Sequence, residues 1–390
     1  MRKFAADLIY TSAKEVISNG LICTNDDGVI LSIEKYQTLE PDIEWVNGFI
    51  CPGFINAHCH LELSHLWNKI PENTGLIGFI QEVQKNRNLT TDEEIKEAIK
   101  NADQQMFENG IVAVGDISNS DISFELKKSS TLKYHTFIEV FGFNPALAEK
   151  LFSDALELSE KIDDLSFSVT PHAPYSVSQK LMELLKKENQ KKGKALTIHN
   201  QESDEENKFF ISKTGDFLNL YERFNLNIDF FNASGKSSLQ TFLSWITNSN
   251  SLQLVHNVYT SLADLKFANE INNKLYWCLC PNANKFISNQ LPPEFLLKAN
   301  DCIKTIGTDS LASNHQLSIW KEIVTIKNNF PTIELEEIIE WATINGARFL
   351  GMDAKLGSIE IEKQPGLVAI SNHYLNENKL PENSSLRRLI

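Results

Sequence analysis

Two histidines separated by a single residue, His58 and His60, are the first side chains in the sequence that could do chemistry. They follow a short apolar run, and residues two apart in an extended strand point to the same side. Both imidazoles can therefore face one site, as metal ligands do. A histidine pair on a surface strand would show the same spacing, so the positions of the other histidines decide between these interpretations.

Other reactive side chains stand where further apolar runs end. His172, His199 and His256 each follow such a run. Asp309 follows the last of these runs, in the sequence Gly-Thr-Asp-Ser. Five of the nine histidines of the chain occupy positions of this kind, which random placement would rarely produce. We therefore predict that these side chains meet in one metal site.

Neutral imidazoles together with a carboxylate suit a borderline divalent cation, with zinc expected first and ferrous iron second. We predict one such ion, and its predicted ligands are His58, His60, His199 and Asp309. Four protein ligands of this kind would leave a position open for water. A bound divalent ion lowers the pKa of its water toward about 7, so the predicted centre is hydrolytic.

Proton transfer also needs side chains, and Glu202 is the first candidate because it lies three residues beyond His199. A glutamate there could take a proton from water and pass it to the substrate. Asp309 could orient the attacking water, and His256 could stabilise the charge that develops on the attacked centre. An ordinary loop glutamate and a structural histidine are the alternatives. The positions of Glu202 and His256 beside the predicted ligands favour the catalytic interpretation.

The elements that carry these residues are short apolar runs, each followed by polar residues and then by an amphipathic, helix-length stretch. The runs cover residues 53–57, 110–117, 134–143, 165–170, 195–198, 252–255, 275–280 and 302–307. Eight alternations of strand and helix predict an α/β fold, a (β/α)8 TIM-type barrel. In such barrels the chemistry lies at the C-terminal ends of the strands, where the predicted site residues stand.

Both chain ends carry β-type runs, including residues 21–24 and 29–33 around an Asn-Asp-Asp-Gly turn and residues 357–361 and 366–370. We predict that the ends share a small β-sandwich. The predicted domains are a composite β domain of residues 1–51 and 351–390 and a catalytic barrel of residues 52–350.

Composition excludes several classes of protein. The 390 residues include 37 Lys and Arg against 51 Asp and Glu, a net charge of −14 that does not suit a nucleic-acid binder. No uncharged apolar run approaches the ~20 residues of a membrane span, and the first residues lack a signal-peptide core. Six cysteines are too sparse for a disulfide framework, so we expect free thiols. We expect a cytoplasmic protein whose partners are a small-molecule substrate and water, without nucleic acid or membrane. The oligomeric state stays open, with a homodimer as a candidate.

Five motifs together resemble the amidohydrolase superfamily, in its branch of cytosine- and adenosine-type deaminases and chlorohydrolases. They read PGFINAHCH (52–60), HNQE (199–202), VHN (255–257), CPNAN (280–284) and GTDSLASN (307–314). The resemblance covers nearly the whole chain. It implies a mononuclear zinc or iron site with the four ligands already predicted, and it assigns proton handling to Glu202 and His256. The fourth strand end carries His172 where binuclear members have a carboxylated lysine.

Substrate contacts come from the same resemblance. His172 matches a substrate-contacting position of this branch. The segment Leu-Glu-Leu-Ser-His after His60 resembles the aminodeoxyfutalosine deaminases, and Glu62 within it could accept hydrogen bonds from a ribose diol. Ser313 and Asn314, in the last motif, are further predicted substrate contacts.

The function expected from these features is hydrolytic deamination of an aminated purine-like heterocycle or nucleoside. An aromatic ring resists attack unless one of its nitrogens is protonated as the tetrahedral centre forms, and Glu202 could supply that proton. A chlorohydrolase or an amide or cyclic-amide hydrolase on the same scaffold is the alternative. A metal- or carbohydrate-binding barrel without activity is a third interpretation, which the complete set of metal and proton-transfer residues disfavours.

Overall fold

A computed structural model of the chain describes residues 1–12, 16–36, 41–162, 165–246, 251–271, 274–371, 378–381 and 384–390. Its strands are β1 (Arg2–Ile9), β2 (Ile17–Thr24), β3 (Ile30–Lys35), β4 (Ile43–Pro52), β5 (Phe54–Cys59), β6 (Ile111–Ser118), β7 (Lys133–Val140), β8 (Ser166–Pro171), β9 (Leu196–Asn200), β10 (Leu252–His256), β11 (Leu275–Leu279), β12 (Ile303–Ile306), β13 (Leu367–Ser371) and β14 (Ser385–Arg388).

The α-helices are α1 (Gly75–Asn86), α2 (Asp92–Glu108), α3 (Phe124–Ser129), α4 (Ala148–Ser159), α5 (Gln179–Lys192), α6 (Asp204–Ser212), α7 (Phe217–Arg223), α8 (Ser238–Trp245), α9 (Leu262–Ile271), α10 (Pro281–Ser288), α11 (Glu294–Lys298), α12 (Ile319–Asn329), α13 (Leu335–Glu340) and α14 (Gly346–Leu350). Short 3-10 helices cover Leu61–Leu66, Pro145–Leu147 and Pro174–Ser176, and a π-helical turn covers Trp341–Asn345.

The strands β5 to β12 form the barrel. Strands β5 to β8 make one parallel sheet and β9 to β12 another. At one seam the backbone amide of His199 donates to the carbonyl of His172 over 2.9 Å. At the other, the amides of Thr308 and Asp309 each donate to the carbonyl of His58 over 3.1 Å. These bonds join the fourth strand to the fifth and the last to the first, so the predicted α/β barrel is confirmed.

The composition of the barrel strands explains their position. Every residue of β5, β6, β9, β10 and β11 is buried, as expected for parallel strands covered on both faces. Helices complete the cover, and local signals set their ends. Thr91 and Glu94 form a reciprocal capping box at the start of α2. Gly193, in the left-handed region at φ +65°, ends α5.

Both chain ends contribute to a second, mixed sheet with the strand order β14-β13-β4-β1-β2-β3. Strands β1 and β4 are parallel, and their other neighbours pair antiparallel. Phe4, Ile22, Ile50, Leu367 and Leu389 pack together in its core. The two chain ends thus share one six-stranded sheet, and the described strands do not form the second sheet that the predicted sandwich would need. Since β4 continues through Pro52 almost directly into β5, the exact domain limits stay a prediction.

One predicted strand is wrong. Residues 357–361 form no strand, because Gly357 lies in the left-handed region at φ +84° and turns the chain. The amide of Ile359 instead donates to the carbonyl of Thr11 over 2.8 Å. All six cysteines lie among the described residues, buried and without a disulfide between them. None of the described helices has both the length and the apolar composition needed to cross a bilayer.

Candidate active site

Three imidazoles converge at the C-terminal end of the barrel. His58 lies on β5, His60 directly follows it, and His199 lies on β9. Nε2 of His60 is 3.2 Å from Nε2 of His58 and 3.2 Å from Nε2 of His199. Two imidazole nitrogens bound to one tetrahedral zinc lie about 3.3 Å apart. The donor set therefore fits a single divalent ion of this size.

The protonation of these rings also suits metal binding. Burial lowers the pKa of His60 to about 3 and that of His199 to about 4, and it holds the pKa of His58 well below the usual histidine range. Neighbouring imidazoles add to the effect on His58 and His199. Nδ1 of His199 lies 2.8 Å from the carbonyl oxygen of His172, which fixes the proton on Nδ1. Nε2 of His199 is then free to act as a ligand.

Asp309 completes the predicted ligand set. Its Oδ1 lies 3.5 Å from Nε2 of His60 and 3.7 Å from Nε2 of His58. The residue adopts a left-handed backbone with φ +57°, directly after the seam between β12 and β5. Oδ2 of Asp309 accepts a hydrogen bond from Ser313 Oγ over 2.6 Å. One carboxylate oxygen is thus held by the protein, and the other faces the imidazoles.

Glu202 and His256 lie side by side next to the imidazoles. Oε1 of Glu202 is 3.6 Å from Nε2 of His256. Burial raises the pKa of Glu202 well above its ordinary value, and the negative charges of Asp309 and Glu206 add to this. Burial has the opposite effect on His256, whose pKa is held well below the usual range. Burial thus favours the protonated carboxyl of Glu202 and the neutral imidazole of His256.

A sharp turn at the end of β10 aims His256 into the site. His256 and Asn257 both have left-handed backbones, with φ +75° and φ +61°. The side-chain amide nitrogen of Asn284, on α10, lies 3.0 Å from Nδ1 of His256. In this arrangement Nδ1 accepts a hydrogen bond, so the ring proton is on Nε2 and points toward Glu202.

A cavity of about 400 Å³ opens above these residues. His60, His199, Glu202, His256 and Asp309 line its inner end. Its walls are largely apolar and include Phe141, Phe143, Leu220, Tyr221 and Phe224. The cavity is large enough for a flat heterocycle, and the residues at its inner end are buried.

Comparison with known proteins assigns the chain to a family. The model that describes the amidohydrolase family matches residues 49–386. The chain belongs to the amidohydrolase family. The resemblance inferred from the five motifs is therefore confirmed.

Relatives of this amidohydrolase include proteins named as deaminases. The chain is 31% identical to an adenosine deaminase of Helicobacter pylori over 93% of its length and 90% of the relative. It is 26% identical to an aminodeoxyfutalosine deaminase of Nitratiruptor sp., covering 87% of this chain and 82% of the relative. The crystal structure of the Helicobacter pylori aminofutalosine deaminase in complex with methylthio-coformycin superposes with a TM-score of 0.81 at 25% identity, covering both chains completely.

Not every predicted substrate contact of this amidohydrolase lines the cavity. Glu62 faces the loop after β6, where its carboxylate accepts hydrogen bonds from the backbone amides of Asn119 and Ser120. Ser313 binds Asp309, and Asn314 donates to the carbonyl of Thr308 and to Glu322. None of the three is among the residues lining the cavity, so this placement does not support them as substrate contacts, and that assignment stays a prediction. Their side chains bind protein groups next to the site.

His172 does line the cavity, stacked on Phe141 with ring centroids 4.2 Å apart. Its Nδ1 lies 2.7 Å from Ser176 Oγ. The placement agrees with the expected substrate contact, which stays a prediction.

Two site residues were missed in the sequence. Glu139, at the end of β7, lines the cavity with a side chain only 2% exposed, and burial raises its pKa to about 8. A charged residue within the apolar run 134–143 was the available signal. Asn284 stood within a quoted motif, but only the fold brings it against His256.

Proposed function

We propose that this amidohydrolase is a metal-dependent hydrolytic deaminase of an aminated purine-type heterocycle or its nucleoside. The observation that carries the proposal is the contact between Glu202 and His256, where a buried carboxyl oxygen lies 3.6 Å from Nε2 of a buried imidazole beside the three converging histidines. The names of the two deaminase relatives, which cover most of the chain, support the same substrate class. Aminodeoxyfutalosine is included among the candidate substrates.

The metal site is part of the proposal. His58, His60, His199 and Asp309 would hold one divalent ion, with zinc the expected metal and iron the alternative, because the set combines neutral imidazoles with one carboxylate. When bound, such an ion supplies Lewis acidity that activates water for attack on a carbon–nitrogen bond.

The protein side chains then handle the protons. Burial, with the negative charges of Asp309 and Glu206, raises the pKa of Glu202 and favours its protonated form. It can donate that proton to the ring nitrogen next to the attacked carbon, which makes the aromatic ring accept attack. His256, with its proton on Nε2, can donate a hydrogen bond to the oxygen that gains charge at this carbon. As the carbon–nitrogen bond breaks, one proton of the attacking water goes to the amino group, which leaves as ammonia, and the other returns to Glu202.

Apolar walls assist by orienting the ring. Of the aromatic residues near the cavity, Phe141 and Phe224 are 44% and 42% exposed and flank its mouth. A heterocycle between such walls is held with its amino-bearing carbon toward the imidazoles, and burial of its faces excludes competing water.

Product analysis distinguishes deamination from dechlorination and amide hydrolysis on the same scaffold. The metal-loaded protein is incubated with adenine nucleosides, a chlorinated triazine and a cyclic amide, and ammonia, chloride and carboxylate are measured. We expect ammonia from the nucleosides and neither of the other products. Chloride or carboxylate release without ammonia would replace deamination with dechlorination or amide hydrolysis.

A further inference from the structure

Gln201, the residue directly before Glu202, is buried and has a left-handed backbone with φ +46°. A side chain other than glycine is strained in this region, so the surrounding structure must hold the residue there. Strained residues of this kind cluster at functional sites. The strain at Gln201 lies in the turn that leads from the end of β9 to Glu202, which lines the cavity.

Three side-chain hydrogen bonds hold Gln201 in this conformation. Its Nε2 donates to Oδ1 of Asn207 on α6 and to Oδ2 of Asp264 on α9, each over 3.0 Å. Its Oε1 accepts from Oγ1 of Thr260 over 2.8 Å. Both amide protons and the amide oxygen therefore have partners, which come from three different segments of the chain.

The carboxylate of Asp264 is a firm anchor for Gln201 because both of its oxygens have further partners. Oδ2 also accepts from the backbone amide of Ser261 over 3.0 Å and from its hydroxyl over 2.7 Å. Oδ1 accepts from the hydroxyl of Ser237 and from Nε2 of Gln240 over 2.9 Å. Hydrogen bonds to an ionised carboxylate are among the stronger ones in proteins. They connect the starts of α8 and α9 to the turn before Glu202.

Gln201 also binds the turn that follows His256. Strands β9 and β10 are paired as far as their last residues, and His256 is the last residue of β10. Beyond the strands, the backbone carbonyl of Gln201 accepts from the amide of Tyr259 over 2.9 Å. Thr260, which binds the side chain of Gln201, belongs to the same turn. The segments that carry Glu202 and His256 are therefore held together directly beside these two side chains.

We propose that Gln201 is a positioning residue, which holds the turn of Glu202 against the turn after His256 and so sets the 3.6 Å separation between the two side chains. Gln201 is not among the residues that line the cavity, so it acts on the substrate only through its neighbours. The inference rests on the proposed function, in which Glu202 delivers a proton to the substrate ring. A displacement of about 1 Å at a reacting group can reduce the rate by about 100-fold.

The first test is Gln201→Met, which replaces the amide with an apolar side chain of similar length. In the metal-loaded variant, we expect kcat for the deaminated purine nucleoside to fall at least about tenfold, with KM changed less than about threefold. Gln253→Met is the matched control, because Gln253 is a buried glutamine near the start of β10 that binds Thr197 and Thr305. Its kcat should stay within about twofold of that of the unchanged protein. An unaltered kcat in Gln201→Met, or an equal loss in the control, would overturn the positioning role.

Thr260 allows a second test that leaves Gln201 in place and applies even where Gln201→Met does not fold. Thr260→Val removes the hydrogen bond to Oε1 of Gln201 and keeps the shape of the side chain, so kcat should fall about fivefold. Thr260→Ser keeps the hydroxyl and should stay within about twofold of the unchanged protein. Equal kcat values in the valine and serine variants would overturn the role of this hydrogen bond and with it the proposal.

A measurement without turnover separates failure of the positioning role from failure of the deaminase proposal. Crystal structures of the metal-loaded unchanged protein and of Gln201→Met, or of Thr260→Val in its place, give the separation between Oε1 of Glu202 and Nε2 of His256. We expect this separation to increase by at least about 1 Å in the variant. An unchanged separation would overturn the positioning role, even in a protein that deaminates nucleosides. An increased separation in a protein that releases no ammonia from any compound would keep the positioning role and discard the deaminase.

Discussion

The side-chain amide of Asn284 lies 3.0 Å from Nδ1 of His256, and this contact decides which ring nitrogen of the histidine faces the reaction. With Nδ1 accepting, Nε2 carries the proton and points toward Glu202. Asn284 does not line the cavity, so it acts on the substrate only through His256. It is a positioning residue.

Replacing Asn284 by aspartate should therefore reverse the tautomer of His256. A carboxylate would accept a hydrogen bond from Nδ1–H, so the ring proton would move to Nδ1 and Nε2 could no longer donate to the reacting oxygen. We expect kcat to fall at least about tenfold with little change in KM. The ring nitrogen shifts of His256 in ¹⁵N NMR spectra should change at the same time. The change Asn289→Asp, at an exposed asparagine five residues further on, serves as the control. Unaltered spectra with reduced activity would argue against the tautomer as the cause.

The ligand role of His199 predicts a loss of metal. The variant His199→Ala removes one of the three converging imidazoles, so metal content measured by elemental analysis should fall to a small fraction of that of the unchanged protein, and activity should disappear with it. The control is His315→Ala, because His315 is exposed and its ring contacts Glu72 and Phe286 and none of the predicted metal ligands. Full metal occupancy in the His199 variant would refute the ligand assignment.

Ser313 predicts a smaller effect on the same property. Its hydroxyl holds Oδ2 of Asp309, so Ser313→Ala should leave the carboxylate free to rotate and weaken metal affinity by about 10–100-fold. Affinity is measured by competition with a chelator of known strength. The exposed Ser129 provides a matched serine-to-alanine control. If both variants bind metal as tightly as the unchanged protein, the hydrogen bond from Ser313 to Asp309 does not contribute to metal affinity.

Glu322 predicts a pH dependence of stability. The carboxyl accepts hydrogen bonds from the amide of Asn282 and from Asn314, and burial raises its pKa to about 8. The folded chain then keeps a proton that the unfolded chain releases near pH 4.5, so the free energy of unfolding falls as pH rises between about 4.5 and 8. Between pH 5 and pH 8 the free energy of unfolding of the unchanged protein should fall by about 3 kcal/mol more than that of the Glu322→Gln variant.

Urea denaturation of both proteins at the two pH values measures this difference. The contributions of other titrating groups to the pH dependence cancel between the unchanged protein and Glu322→Gln, since the two chains differ at one residue. Glu157→Gln, at an exposed position on α4, should follow the unchanged protein. Parallel losses of stability in all three proteins would show that Glu322 is ionised in the folded chain.

The barrel and the triad could be predicted because their signals are local. Apolar runs marked each barrel strand, and His58, His60 and His199 stood at strand ends, where a barrel places its chemistry. The spacing of His58 and His60 alone fixed their common direction. These properties depend on neighbours in the sequence, and the structure keeps them.

Three predicted substrate contacts lie outside the cavity lining for a different physical reason. Glu62, Ser313 and Asn314 lie within a few residues of metal ligands, but closeness in sequence does not fix the direction of a side chain in a turn. The left-handed backbone of Asp309 turns the chain so that Ser313 binds behind the carboxylate and not in front of it. Glu139 and Asn284 were missed because their partners lie on other barrel strands or loops, which only the closed fold brings near.

Ammonia release is the measurement that tests the central claim most directly. The metal-loaded protein is offered aminated purines, their nucleosides, aminodeoxyfutalosine, cytosine and aminotriazines, and ammonia is quantified against the deaminated product. We predict equal amounts of both from a purine nucleoside-type compound, and a loss of at least about 100-fold in Glu202→Gln with its metal retained. No ammonia from any compound while metal is bound, or full turnover without the Glu202 carboxyl, would contradict the account.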